Sequence, residues 1–100
     1  MTFPIAKVIA ALTSELTQVA QSEAFVRGIS LPTAHSALMK AAVPIDSLST
    51  VDALCVLDTV LGFKLKESIV RTGGYDSVEE ALNHMVPRIQ AAWTKRKKKK

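Results

Sequence analysis

The chain has 100 residues, 48% of them apolar and only 5% aromatic, which suits one domain near the lower size limit for a self-sufficient core. Six positive charges lie in residues 95–100 (Lys-Arg-Lys-Lys-Lys-Lys), so a net +4 for the whole chain leaves −2 on residues 1–94, and the body lacks the charge of a nucleic-acid-binding domain. A single cysteine, Cys55, excludes an internal disulfide and a Cys-based zinc site, and no apolar run reaches the length of a membrane span.

In chain order, Ile5, Val8, Ile9, Leu12, Leu16 and Val19 fall three or four apart, which predicts an amphipathic helix with Pro4 in its first turn. Lys7, Thr13, Ser14 and Glu15 interrupt it in helical register. The segment therefore lacks a signal-peptide design, and a cytosolic protein is expected. From Gln21 to Ser30 the period fades. Gly28 and Ser30 read as loop, with Phe25, Val26 and Ile29 expected to pin that loop to the core. Residues 32–42 offer Ala34, Ala37, Leu38, Ala41 and Ala42, a short helix expected to be capped by Ser30 and to stop before Pro44.

Asp46-Ser47-Leu48 follows, an acid, a hydroxyl and an apolar residue at the head of a strongly periodic run. Leu48, Val51, Leu54, Cys55, Leu57 and Leu61 predict a buried helix from Ser47 to about Leu61, capped by Asp46, ended by Gly62, and carrying Asp52, Asp58 and Thr59 as its main polar positions. Its first turn presents unpaired N–H groups and a partial positive charge, a favourable field for a phosphate on Ser47. Leu48 and Val51 are expected to anchor the helix, and Cys55 to pack as a small hydrophobe.

Residues 66–71 allow one or two helical turns before Gly73-Gly74. Ser77 with Glu80 reads as a capping box, and Val78, Ala81, Leu82, Met85 and Ile89 as the apolar stripe of a last helix, with Pro87 expected to kink or shorten it and Trp93 to anchor it in the core. The fold class is thus all-α: a small bundle of four helices plus the short extra segment at 32–42, occupying residues 1–94 as one domain, with 95–100 as a disordered basic tail. His35 and His84 stand apart from any Asp, Glu or Cys at ligand spacing, so they read as surface or boundary residues and no metal site is expected. No general-base or nucleophile constellation points to an enzyme.

The run Asp46-Ser47-Leu48-Ser49-Thr50-Val51-Asp52, then Leu57-Asp58, Leu61-Gly62-Phe63-Lys64-Leu65 and Asp76-Ser77-Val78-Glu79-Glu80-Ala81, resembles the acyl carrier protein family over residues 44–89. The resemblance implies a small helical bundle that carries 4′-phosphopantetheine covalently on Ser47, with Asp46 and Leu48 flanking the attachment point. It also implies acyl or aminoacyl cargo held as a thioester, a place in fatty acid biosynthesis or other lipid metabolism, and a monomer that is not itself an enzyme. Its partners would be a phosphopantetheinyl transferase and acyl-transferring or acyl-modifying enzymes, met through Asp52, Asp58 and Val51. The extra segment at 32–42 departs from the family's pattern, as does the sparse acidity of the helix, where Ser49, Thr59 and Val60 stand at positions that are often acidic. A different class also fits the residues: a helical adaptor or nucleic-acid-associated protein that uses the basic tail and carries no prosthetic group.

Overall fold

The computed structural model describes residues 3–98 and contains four α-helices: α1 (Ile5–Arg27), α2 (His35–Lys40), α3 (Ser47–Leu61) and α4 (Val78–Lys98), with a 3-10 turn at Glu67–Ile69. The all-α class expected from periodicity is what forms, and no strand occurs among the described residues. None of the helices is long and apolar enough to cross a membrane among the described residues.

The first helix runs further than its large apolar residues indicate. Its buried stripe is Val8, Leu12, Leu16, Ala20 and Ala24, one residue every fourth position, and the two alanines extend the stripe where bulky side chains give out. Ala has the best intrinsic helix propensity, and the Glu23–Arg27 ion pair (2.7 Å) adds one spacing of support in the last turn. Gly28, in the left-handed region at φ +72°, terminates the helix. Consequently Phe25 and Val26 do not pin a loop: they sit on the outer face of α1, 87% and 79% exposed. The short α2 begins at His35 without a side-chain cap, so Ser30 does not cap it, and it buries Met39.

Helix α1 packs against both α3 and α4. From α3 the core receives Thr50, Ala53, Leu54 and Leu57, and from α4 Val78, Ala81, Met85 and Ile89. The buried Thr50 hydroxyl donates to the Asp46 carbonyl (2.7 Å), so that polar group is satisfied within its own helix. Trp93, expected in the core, is instead partly buried at its rim, where it meets Phe3 edge-on with ring centroids 5.6 Å apart.

Pro87 does not end α4, which continues to Lys98. Pro87 and Asn83, the residue whose carbonyl loses its helical donor, both lie on the exposed face, where water can take the freed acceptor. The expected irregular tail is thus helical over residues 95–98, and residues 99 and 100 lie outside the described ones.

Candidate functional site

The approach to α3 is held by a contact between segments thirty residues apart. Ile45 and Tyr75 form a single antiparallel bridge in which each N–H donates to the other's carbonyl (2.8 Å both ways), and the Val43 N–H donates to the Asp76 carbonyl (2.9 Å). Gly74 makes the approach feasible. It is buried at φ +83°, and a Cβ there would overlap the Ile45 carbonyl oxygen. Ile45 and Tyr75 are themselves 1% and 2% exposed, so the bridge is walled from water.

From this bridge the chain turns into α3. Asp46, at φ −72° and ψ 161°, is the N-cap, and its carboxylate accepts from the Ser49 N–H at 2.6 Å. That bond, seconded by the Ser49 hydroxyl, holds the Asp46 carboxyl below its ordinary pKa. Ser47 is the first helical residue. It is partly exposed, and its hydroxyl makes no hydrogen bond among the described residues. The cap is supplied by its neighbour, so the Ser47 hydroxyl is structurally unemployed at the positive end of a 15-residue helix.

The remaining residues singled out from the sequence divide. Leu48 does not anchor α3, because it is 73% exposed and points away from the core that Thr50, Ala53 and Leu54 face. Val51 is partly buried against that core. Asp52 is exposed. Asp58 is engaged, its Oδ1 accepting from the Leu65 N–H at 3.0 Å, which ties the loop after Gly62 back onto the helix. Cys55 lies on the exposed side of α3 rather than packing as a core hydrophobe. Between α3 and the following loop, Val51, Leu54, Cys55, Asp58 and Leu65 line a cavity of about 80 Å³, room for only a few heavy atoms.

One cluster near the site was invisible to sequence spacing. The Tyr75 hydroxyl accepts from the Arg71 N–H (2.9 Å) and lies 2.8 Å from His84 Nδ1, while the Arg71 guanidinium covers the Tyr75 ring, donates to the Gly74 carbonyl and pairs with Glu80. With its one hydrogen free to donate, the phenol is matched to a neutral imidazole accepting at Nδ1. Partial burial, together with the charges of Arg88 and Arg71, lowers the His84 pKa and favours that neutral form. The only advance signal was Gly73-Gly74 before an aromatic, which marks a turn but not what the turn touches. No protein-family model, no curated protein and no solved structure matches this chain.

Proposed function

We propose that this chain is a carrier protein of the kind its sequence resembles, accepting 4′-phosphopantetheine on Ser47 and presenting acyl or aminoacyl groups to partner enzymes. The observation that supports it best is the unengaged Ser47 hydroxyl at the start of α3, beside a cap that Asp46 alone supplies. These residues fit a phosphodiester. The first-turn N–H groups give it a favourable field, the hydroxyl is open to an approaching enzyme, and no second acid stands in the first turn to repel it.

In the reaction, Ser47 Oγ forms a new ester bond to phosphorus as the pyrophosphate P–O bond of coenzyme A breaks. Its proton passes to a base of the transferase and adenosine 3′,5′-bisphosphate leaves. Asp46 keeps the helix start fixed while the bond forms, and the exposed Leu48 gives the transferase an apolar contact one residue away. The arm, when bound, supplies a terminal thiol that holds cargo as a thioester. The cavity beside α3 is too small to enclose a long chain without movement of α3 against its loop, so short cargo, or cargo left largely outside, suits the resting fold. Asp52 is the acid on α3 available for docking, whereas Asp58 serves the loop.

Incubation with coenzyme A and a broad-specificity phosphopantetheinyl transferase tests the proposal by intact mass. One arm per chain is expected, none on Ser47→Ala, and an unchanged mass gain on Ser77→Ala. No gain on the native chain, or a gain that survives Ser47→Ala, overturns it.

A further inference from the structure

Beside the C-terminal half of α3 lies a cleft of about 430 Å³ between the loop after Gly62 and the last turns of α4. Its floor includes Leu65 and Ile69, both buried, and its rim carries Lys64, Lys66, Lys95 and Arg96, all exposed. No acid lines it, and none of the four cations is ion-paired among the described residues. Two of them come from the loop, whereas the other two come from the segment whose sequence reads as a tail. The continuation of α4 past Pro87 brings the pairs together.

We infer that this cleft is a binding site for an anionic amphiphile, one molecule with a phosphate or carboxylate head and an apolar chain. The chemistry follows from the division of the lining. Laying a chain in the cleft against Leu65 and Ile69 removes the chain's own apolar area from water, while a head at the rim meets four cations that otherwise repel one another. The volume lies in the range of small-molecule sites, which combine an apolar floor with a few charged groups. Nucleic acid is the poorer match, because the cleft has a single aromatic ring, Phe63, and the Arg96 guanidinium already stacks on one of its faces, 5.0 Å above the centroid. Leu65 also lines the small cavity beside α3, so the cleft adjoins the space assigned to cargo, while Ser47 itself lies outside the cleft.

The test is a titration of the unmodified full chain with monomeric dodecyl phosphate, followed by amide chemical shifts. Saturable changes centred on residues 63–69 and 92–96 are expected, weakened about tenfold when Lys95→Glu and Arg96→Glu are combined. Ser68→Trp, which fills the cleft without altering its charge, should weaken binding as well. Equal binding of dodecyltrimethylammonium would show an apolar surface without charge selection, and equal binding of inorganic phosphate would show a counterion site without a chain. Either result overturns the proposal. So does binding of a DNA duplex that is tighter than that of dodecyl phosphate and lost in the same double variant, or binding confined to anionic vesicles with no response to the monomer.

Discussion

The same three-residue pattern, acid, serine and apolar residue, opens both α3 and α4, and the two copies fold one position out of register. At Asp46-Ser47-Leu48 the acid is the cap, the serine is the first helical residue with a free hydroxyl, and the leucine faces out. At Asp76-Ser77-Val78 the serine is the cap, its Oγ accepting from the Glu80 N–H at 3.1 Å, and the valine is 1% exposed. A one-residue slip in which group takes the orphan N–H decides whether a serine is structural or available. The slip has a cause in the bridge. Asp76 offers its carbonyl to Val43 and Tyr75 is paired with Ile45, so the chain leaves extended geometry later at α4 than at α3.

The comparison can be broken at the bridge. Gly74→Ala places a Cβ on the Ile45 carbonyl at a positive φ, and the expected loss is about 3 kcal/mol or more of unfolding free energy, read from urea denaturation. A loss below 1 kcal/mol would mean that the close approach does not hold the site. Tyr75→Phe removes the hydroxyl shared by Arg71 and His84 and leaves the Arg71 N–H without its partner, for about 1–2 kcal/mol.

The caps sharpen it further. Asp46→Ala and Ser77→Ala should each cost about 1 kcal/mol, whereas Ser47→Ala should change stability by no more than a few tenths, since its hydroxyl makes no bond among the described residues and Ala suits a helix. Equal losses for the two serine variants would erase the distinction between them.

The smallest effects are with pH. His84 has a folded pKa below its unfolded value of 6.5, so the unfolded chain binds the proton first; the stability it contributes is complete above that value and is lost as pH falls through the folded one. Between pH 7.5 and 5.5, the native chain should therefore lose more stability than His84→Gln. Asp46 obeys the same sign lower down, its share being present above 3.8 and lost as pH falls further, a step that Asp46→Ala should remove from an acid titration.

Helices α3 and the first half of α4 were legible because large apolar residues repeat at helical spacing between recognisable stops, Asp46 and Gly62 in one case and Ser77 in the other. The length of α1 was not, since its last two buried turns use Ala20 and Ala24, which mark no face against a background of other small residues. Phe25 and Val26 misled for the complementary reason: large apolar side chains need not be buried. Six adjacent like charges argue for disorder on composition alone, but a helix already nucleated by Val78, Ala81, Met85 and Ile89 can be extended at little cost by Lys and Arg, both good helix formers. At the candidate site, Asp46 could be named as a cap from its position before the apolar run, and Ser47 was singled out by the family resemblance. The bridge that positions them could not, because a pairing across thirty residues leaves no periodic trace.

Tyr75 and Trp93 are the chain's only tyrosine and only tryptophan, and they meet α4 at different levels: the phenol reaches it at His84, nine residues or about 14 Å along the axis from Trp93. The phenol is locked into the bridge beside α3, while the indole rests on Phe3. The molecule thus carries two optical reporters in different surroundings, one in the bridge beside α3 and one on Phe3, without any label. Tyrosine absorbance follows the bridge as it loosens, and tryptophan emission follows the contact with Phe3. Coincidence of the two melting curves would establish that both regions come apart in one cooperative event, and a gap between them would give the order in which they part.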